Sequence, residues 1–374
     1  MSEKQVFQNQ KPHSSGNKES TVWDWMVNLF RPRRAVLCPF CLKYGSLLRG
    51  EVECNAPDGC GRELPEAYLE YCEVLPPLFV PILGFKNHGK TWSILAQVNA
   101  LGAATLLGKD YYRQWATEVT LVWLRMIVKS SVEGLGHRPG PTEAMVPEAY
   151  ILLLHNLPRR WHGSRHTGRT LVIRDFAGED FQNAEVPPDR MAFIAASPIV
   201  MLQYSLADLE EPLMNKANFS IDELLSCYIN SIGHANIKKN RTNMIVCLTK
   251  ADELLKKGKL PPHLTDYLTG DPIAASLKSG RRADHWNEEQ FADYMDRMEG
   301  ASQAIREYLE ARHPAAEQMI RLAKGNNINL RFCMTSATGG VDVSTASSGT
   351  EWQPLRILDP IFTALEFGIQ QTGK

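Results

Sequence analysis

A short glycine-bracketed segment that ends in lysine and threonine is the part of this chain whose residue types point most directly to chemistry. It spans residues 84–91, reads GFKNHGKT and follows an apolar stretch. Glycines let backbone N–H groups curl around a phosphate, a lysine can reach the β and γ oxygens of a nucleotide, and a threonine hydroxyl can ligate Mg²⁺. The segment predicts a phosphate-binding loop, and the alternative is a glycine turn without a ligand. The predicted binding residues are Gly84, Asn87, His88, Gly89, Lys90 and Thr91.

Such a loop needs a strand before it and a helix after it, and the apolar patterns predict both elements. The helix would direct the positive end of its dipole at the bound phosphate. The strand residues are Val80, Ile82 and Leu83, and the apolar stripe of the helix consists of Ile94, Leu95, Val98 and Leu101.

A carboxylate and a glycine follow another predicted strand farther along the chain. The β-rich run at residues 170–173 leads into Asp175, and Gly178 comes three residues later. Asp175 would hold the Mg²⁺ shell through water, and the Gly178 N–H would contact the γ-phosphate. This pair therefore predicts a site for the metal and the terminal phosphate.

Two later segments have groups that can recognise a guanine base. After the apolar run 244–248, Thr249 and Lys250 precede Asp252, whose carboxylate can accept hydrogen bonds from both guanine N1–H and the exocyclic amine. Adenine lacks this pair of donors. After the run 331–335, the small residues Ser336 and Ala337 predict a turn whose backbone N–H reaches guanine O6.

With these four motifs in this order, the chain resembles the TRAFAC-class P-loop GTPases from about Leu75 to its C-terminus. The resemblance implies a doubly wound, mostly parallel α/β sheet that binds GTP or GDP with Mg²⁺ at the carboxyl ends of its strands. The base motif of the family usually begins with Asn, whereas this chain has Thr249. The replacement keeps a side-chain oxygen and loses an amide, which predicts looser guanine binding with the same choice of base.

The segment between the loop and Asp175 is longer than the family requires. Residues 149–156 (AYILLLHN) predict a buried strand, and residues 157–168 predict its hairpin connection to the strand that ends at Asp175. Residues 110–129 carry Trp115, Val119, Val122 and Met126 at helical spacing, which predicts an added packing helix.

The resemblance also implies a switch threonine and a residue that orients the attacking water. Thr142, in an RPGPT loop before the predicted strand, either closes over Mg²⁺ and the γ-phosphate or is a surface residue of an ordinary turn.

Glu179 follows Gly178 at the position where Ras-like members of the family carry the glutamine that orients the attacking water. A carboxylate accepts a hydrogen bond from water but donates none, so hydrolysis by Glu179 would be slow. The alternative is a solvated switch carboxylate.

The phosphate loop itself resembles two other branches of the family. Its HGKT ending matches translation factors, and Asn87 stands where cation-stimulated GTPases have an asparagine that helps to hold K⁺. The resemblance therefore adds K⁺ as a candidate cofactor.

Four cysteines precede the GTPase-like region. Cys38 and Cys41 have the CxxC spacing of a zinc knuckle, and Cys54 and Cys60 follow with five residues between them. Four thiolates suit a structural Zn²⁺ because they leave no open position for water. Free or oxidised cysteines are the alternative. A zinc ribbon fused to such a GTPase loosely resembles GTPases of predicted bacterial conflict systems.

Composition limits the classes of protein to which the chain can belong. It has 374 residues, 44% of them apolar, and no uninterrupted apolar run long enough to span a bilayer. A net charge of −1 provides no general attraction to nucleic acid or to an anionic membrane. The expectation is a cytoplasmic protein whose ligand is a guanine nucleotide and whose partner is another protein.

The predicted organisation has four parts. They are a disordered arm at 1–20, a short apolar docking segment at 21–35, a zinc ribbon at 36–73 and a GTPase domain at 74–374 with an insertion near 254–287. Two functions stay open: a GTP-hydrolysing switch that regulates a partner, and a nucleotide-binding scaffold with negligible turnover. A translation or ribosome-assembly factor is a third idea, but the chain lacks the basic surface that it needs.

Overall fold

The structure is a computed structural model. It describes residues 34–47, 50–85, 88–103, 107, 110–116, 149–162, 166–177, 193–194, 197–211, 220–234, 242–279, 285–340 and 353–372. The predicted arm and nearly all of the predicted docking segment lie outside these ranges. Within them, no helix is long and apolar enough to cross a membrane.

The described residues form one seven-stranded mixed sheet and a separate two-stranded hairpin. The strands are β1 (Arg34–Leu37), β2 (Tyr44–Leu47), β3 (Pro77–Gly84), β4 (Tyr112–Trp115), β5 (Tyr150–His155), β6 (Arg169–Ala177), β7 (Ile199–Ser205), β8 (Thr242–Thr249) and β9 (Ile328–Met334). Their order in the large sheet is β4-β5-β6-β3-β7-β8-β9. Strands β6, β3, β7, β8 and β9 run parallel, whereas β4 and β5 are antiparallel to their neighbours.

The chain turns in opposite directions on the two sides of β3. After β3 it forms β4, β5 and β6 on one side, and it then crosses to form β7, β8 and β9 on the other. In open sheets of this kind, ligands bind outside the carboxyl ends of the strands, where the strand order reverses. The predicted fold class, a doubly wound and mostly parallel α/β sheet, is confirmed.

Helices cover both faces of the sheet. They are α1 (Glu66–Tyr71), α2 (Lys90–Ala103), α3 (Leu206–Glu210), α4 (Ile221–His234), α5 (Ala251–Lys256), α6 (Pro262–Thr269), α7 (Pro272–Ser279), α8 (Glu288–Arg312), α9 (Pro314–Gly325) and α10 (Asp359–Thr372). Helices α4, α5 and α9 contribute to the buried cluster on one face, and α2 and α10 to the cluster on the other. Every residue of β5, β7 and β8 is buried, as expected for strands covered on both faces.

Several predicted elements are confirmed by the described residues. The strand expected at 149–156 is β5, and its antiparallel connection to β6 contains one turn of 3₁₀ helix at Arg159–Trp161. Helix α8, which follows the insertion, starts with a capping box between Asn287 and Gln290.

The helix predicted over residues 110–129 is wrong in its described part. Tyr112–Trp115 form the edge strand β4, which pairs antiparallel with β5. Aromatic side chains pack well on a pleated surface, and β5 offers an edge with which this segment can pair. The guanidinium carbon of Arg113 lies 4.7 Å from the centroid of the Trp115 ring. Tertiary pairing therefore overrides the helical spacing here, and residues 117–129 lie outside the described residues.

The insertion expected near 254–287 contains α6 and α7 and is tied to the C-terminal segment by buried polar contacts. Arg356 donates to the carbonyl oxygens of Tyr267 at 2.7 Å and Gly270 at 3.0 Å, and its backbone N–H donates to Asp271 Oδ2 at 2.6 Å. The hydroxyl of Tyr267 donates to Asp359, the first residue of α10. These contacts hold the insertion against the domain.

The segment predicted as a zinc ribbon packs directly on the large sheet. Its residues Val36 and Tyr68 belong to the same buried cluster as Phe79 of β3 and Phe176 of β6. The Tyr68 hydroxyl also donates to the Leu37 carbonyl at 2.5 Å. The ribbon therefore shares a hydrophobic core with the sheet.

Candidate functional site

The glycine-rich loop lies where the fold places a ligand, between the carboxyl end of β3 and the first turn of α2. The backbone geometry explains why Gly84 and Gly89 are both glycines. A Cβ at Gly84 would lie 2.5 Å from the Gln203 carbonyl oxygen of β7, and Gly89 has a φ of +79°, in the left-handed region that favours glycine. The glycines therefore allow the loop to pass close to β7 and to turn into the helix.

Lys90 closes this loop. Its ammonium donates to the Gly84 carbonyl and, at 3.1 Å, to the Phe85 carbonyl. Thr91 follows in the first turn of α2, where the backbone N–H groups of a helix attract anions. Lys90, predicted to contact phosphate, and Thr91, predicted to contact Mg²⁺, therefore both lie at the N-terminal end of α2.

Asp175 lies close to the carboxyl end of β6, beside the loop. It pairs with Ile82, and two residues later Ala177 pairs with Gly84. Because successive side chains of a strand point to opposite faces, Asp175 faces the sheet side covered by α2, while Arg174 and Phe176 face the ribbon. The register therefore brings the predicted metal-shell carboxylate to the edge of the sheet where α2 begins.

A hydroxyl joins the predicted base segment to the phosphate loop. Thr249 Oγ1 donates to the His88 carbonyl at 2.6 Å and lies 3.3 Å from the Tyr204 carbonyl. Looser guanine binding was expected here because threonine lacks the amide of asparagine. Threonine nevertheless supplies a donor, and that donor is directed at the loop backbone.

We expect Thr249→Val to weaken this junction, because it replaces the hydroxyl with a methyl group that cannot donate a hydrogen bond. The variant lacks the hydrogen bond to the His88 carbonyl and leaves this carbonyl without the donor. This loss should lower the free energy of unfolding by about 1–2 kcal/mol. Urea unfolding and guanine-nucleotide titration measure the effect, and Thr249→Ser, which keeps the hydroxyl, is the control. Equal stability of the valine and serine variants would contradict this role.

The side chain of Asp252 and the turn after β9 lie next to each other. Asp252 is 8% exposed and is in the first turn of α5. The Ala251 N–H donates to the Thr335 carbonyl at 3.1 Å, and a Cβ at Gly340 would lie 3.7 Å from Asp252 Cβ. The predicted carboxylate and the predicted O6-contacting turn are therefore brought together.

The backbone of Ser336 is already engaged in this turn. Its N–H donates to the Leu355 carbonyl at 3.0 Å, its carbonyl accepts from the Leu355 N–H at 2.8 Å, and its Oγ accepts from the Gly339 N–H at 2.9 Å. Of the two predicted O6 donors, the N–H of Ala337 is thus the better candidate, and Ser336 shapes the turn.

His88 is fully buried beneath the loop. Its ring packs against Tyr204, with centroids 4.5 Å apart, and against Phe85 at 5.6 Å, while Nε2 lies 3.6 Å from Asp208 Oδ2. Burial lowers the pKa of His88 to about 4, because it outweighs the opposing effect of Asp208 and is reinforced by the charge of Lys90. The imidazole therefore packs as a neutral ring at neutral pH, and its backbone carbonyl is the group that bonds to Thr249.

The low pKa of His88 predicts a loss of stability in mild acid. The unfolded chain takes up the proton near the ordinary histidine pKa of 6.5, whereas the folded chain does so only near 4, so stability falls as the pH drops from 6.5 to 4. The loss should reach up to about 3 kcal/mol. Urea unfolding across this pH range should show that His88→Gln removes it, whereas His263→Gln, at an exposed position of α6, keeps it. Identical pH slopes in the two variants would contradict the prediction.

The four predicted zinc ligands converge. The Sγ atoms of Cys38, Cys41, Cys54 and Cys60 all lie within 4.8 Å of one another. The Cys38–Cys60 distance is 3.6 Å and the Cys41–Cys54 distance is 3.7 Å. Tetrahedral zinc with Zn–S bonds of about 2.3 Å requires sulfurs about 3.8 Å apart. The donor set is therefore compatible with zinc.

The long spacing between Cys54 and Cys60 is accommodated by a tight local turn. The Gly59 N–H donates to the Ala56 carbonyl at 2.7 Å, and Asp58 has a φ of +53°. Burial alone would raise the pKa of the Cys54 thiol. The backbone N–H groups of Ala56 and Cys60, which are directed at the sulfur, have the larger opposite effect together with the neighbouring cysteines, so that the pKa is lowered to about 7. These N–H groups stabilise the thiolate form that binds metal.

Four predicted site residues lie outside the described residues: Asn87, Thr142, Gly178 and Glu179. One residue beside the site was not predicted from the sequence. Arg174 is 3% exposed and donates to the Phe40 carbonyl at 3.0 Å. Phe40 lies in the turn from Cys38 to Cys41, which we call the cysteine knuckle. The sequence feature that could have indicated Arg174 is its position directly after the apolar run 171–173 and before Asp175.

No protein-family model and no curated protein matches the chain. Among solved structures, it is similar to an ADP-ribosylation-factor-like GTP-binding protein, the small COPII coat GTPase SAR1 of Encephalitozoon cuniculi in complex with GDP, with 11% identity, a TM-score of 0.29 and coverage of 83% of this chain and 86% of that chain. It is also similar to the S. cerevisiae Ski7 GTPase-like domain bound to GDP and inorganic phosphate, with 12% identity, a TM-score of 0.34 and coverage of 82% and 52%. Identities and TM-scores this low assign no family to the chain.

Proposed function

We propose that the chain is a guanine-nucleotide-binding switch that binds GTP with Mg²⁺, hydrolyses it to GDP and regulates a partner protein. The observation that carries this proposal is the 2.6 Å hydrogen bond from Thr249 Oγ1 to the His88 carbonyl. This bond holds the segment after β8 against the loop after β3, and it supports a site in which one ligand would contact both.

The phosphate end of the ligand would be held by the loop and by α2. The backbone N–H groups of the loop and the ammonium of Lys90 would bind the β and γ oxygens, and Thr91 would ligate the metal directly. Asp175 would hold the metal shell through water, and Gly178 would contact the γ-phosphate. Bound Mg²⁺ would supply positive charge next to the phosphate oxygens.

The base end would be read by Asp252 and Ala337. Asp252 is 8% exposed, and a buried carboxylate is costly to leave without hydrogen-bond donors, of which guanine offers two. Lys250, which has a φ of +57°, allows the chain to turn from β8 into α5 and thereby sets the position of Asp252. Adenine would leave this carboxylate unsatisfied.

Hydrolysis would need a water placed in line with the γ-phosphate. We assign Glu179 to accept a hydrogen bond from this water and Thr142 to close over the metal and the γ-phosphate. Because a carboxylate cannot donate as an amide does, slow turnover without a partner is expected.

Equilibrium binding and phosphate release test this proposal together. The protein should bind fluorescent GDP and GTP analogues with far higher affinity than the ATP analogue, and it should release phosphate from GTP. Glu179→Ala should keep the affinity and reduce the rate. Equal affinity for the ATP and GTP analogues would refute the guanine assignment.

A nucleotide-binding scaffold with negligible turnover is the second candidate, and the carboxylate at Glu179 favours it. The two candidates differ in one measurement. Tight GTP binding without phosphate release, in the unmodified protein and in Glu179→Ala alike, would support the scaffold and exclude the hydrolytic switch.

We also propose that Cys38, Cys41, Cys54 and Cys60 hold one structural zinc ion. Metal analysis of freshly purified protein should give one zinc per chain. Cys41→Ser should lose most of it, because a structural site needs all four ligands. Cys72→Ser, which removes a half-buried thiol outside the cluster, should keep it. Full zinc content in Cys41→Ser would exclude the site.

A further inference from the structure

One buried arginine joins the cysteine knuckle to the strand that carries Asp175. Arg174 Nη1 donates to the Phe40 carbonyl at 3.0 Å. The guanidinium carbon also lies 5.2 Å from the ring centroid of Phe176 and 5.1 Å from that of Phe193. A buried guanidinium is costly unless hydrogen bonds and aromatic faces receive it. The knuckle carbonyl is therefore part of what holds this side chain in place.

The position of the Phe40 carbonyl depends on the knuckle around it. Phe40 lies between two of the cysteines, and its N–H is directed at Cys38 Sγ at 3.4 Å. The Leu42 N–H donates to the Cys38 carbonyl at 3.0 Å, and Leu42 has a φ of +57°. Such a turn keeps its shape when a metal holds its thiols, and in a segment this small metal binding supplies folding free energy. We therefore expect zinc binding to determine the position of the Phe40 carbonyl, which accepts the hydrogen bond from Arg174.

Arg174 lies near the carboxyl end of β6, directly before Asp175. Arg174 pairs with Pro81, Asp175 with Ile82 and Ala177 with Gly84. Arg174 faces the ribbon and Asp175 faces the opposite side of the same strand. An anchor on one face of β6 would therefore also restrain the carboxylate on the other face.

We propose that Arg174 is a positioning residue that couples metal occupancy of the cysteine knuckle to the Mg²⁺-dependent part of nucleotide affinity. The proposal rests on the proposed function, since it assigns Asp175 to the metal shell. A metal-loaded knuckle holds the Phe40 carbonyl, the carbonyl holds Arg174, and Arg174 holds the end of β6. Base recognition after β8 and β9 does not pass through this link. Because coupling between binding equilibria is reciprocal, a bound Mg²⁺–nucleotide complex should also raise the affinity of the knuckle for zinc.

Arg174→Met and its matched control Arg62→Met test the link in the full-length chain. The guanidinium carbon of Arg62 lies 5.6 Å from the centroid of the Phe40 ring, so Arg62 also contacts Phe40, but Arg62 is exposed and is not on β6. Affinity for fluorescent GDP is measured with Mg²⁺ and in Mg²⁺-depleted buffer. Each measurement is made before and after zinc is removed with a zinc-selective chelator, and zinc content is measured for every sample.

Losing a hydrogen bond to a buried charged group should lower the affinity in Mg²⁺ about tenfold. This loss is expected for Arg174→Met and for the zinc-stripped unmodified protein, while the affinity without Mg²⁺ stays within about twofold. Arg62→Met should behave as the unmodified protein. Stripping zinc from Arg174→Met should add little, because both changes break the same link. Unchanged affinity, or losses that add in full, would overturn the proposal.

Hydrogen exchange separates this inference from the proposed function. Zinc removal should lower the protection of residues 169–177 in the unmodified protein and in Arg62→Met, and should lower it no further in Arg174→Met. If the protein binds no guanine nucleotide, the proposed function fails, and this exchange pattern still decides whether the link exists. If Arg174→Met does not fold, Arg174→Lys and the zinc-stripped unmodified protein replace it. Protection that is unaffected by zinc would refute the link.

Discussion

Lys90→Ala should lower the affinity for GTP and GDP by at least about 100-fold. The ammonium already lies across the loop, donating to the carbonyls of Gly84 and Phe85, at the start of the helix that would face the phosphates. Removing a charged partner from a desolvated contact typically costs 2–5 kcal/mol, about 30-fold or more in affinity. Under the proposed function Lys90 would contact two phosphate groups, so we expect a loss in the upper part of this range.

Titration with fluorescent GDP, in Mg²⁺ and at constant ionic strength, measures this effect. Lys257→Ala is the control, because Lys257 pairs with Glu211 at 2.7 Å on the surface, and such exposed pairs contribute little. Because Lys90 also bonds to the loop backbone, urea unfolding of the nucleotide-free variant must be compared as well. A binding loss with stability changed by no more than about 1 kcal/mol assigns the effect to the ligand. Affinity within threefold of the unmodified protein would remove the phosphate assignment.

The elements that the sequence predicted well are those whose determinants are local. The strand and helix around the loop follow from apolar spacing, and so does the buried strand expected at 149–156, which is β5. The position of Asp175 beside the loop follows from the strand before it, because parallel strands end at one edge. In each case the residues that fix the element are within a few positions of it.

The contacts that hold the candidate site together are not local, and the sequence did not reveal them. Thr249 and the His88 carbonyl are 161 positions apart, and Arg174 and Phe40 are 134 positions apart. A local pattern contains no information about what faces a side chain across the core. The same reason explains β4, since the residues 112–115 become a strand only because β5 offers an edge. A single sequence predicted the motifs, whereas the register between them required the structure.

Asp252→Asn should change the preferred base from guanine to xanthine. Asp252 is 8% exposed in the first turn of α5, so its carboxylate has little access to solvent. Two guanine donors can bind its two oxygens, but an amide presents one acceptor and one donor, so the exocyclic amine of guanine then meets an N–H. Xanthine has a carbonyl in place of that amine, and this carbonyl can accept from the amide.

The expected change in the ratio of GDP to XDP affinity is about 10³-fold, since two hydrogen bonds to a charged group are exchanged for a mismatch on one nucleotide and a match on the other. Competition titrations with GDP, XDP and ADP measure this ratio directly. Glu253→Gln is the matched control, because it removes the neighbouring carboxylate from the same first turn and so reproduces any effect on the helix dipole. This control should keep the preference for GDP.

If Asp252→Asn loses affinity for GDP without gaining affinity for XDP, Asp252 supports the fold of the turn and does not read the base. An unchanged ratio of GDP to XDP affinity would place the base elsewhere. Neither variant should bind ADP, because adenine lacks the N1–H that both the carboxylate and the amide oxygen require.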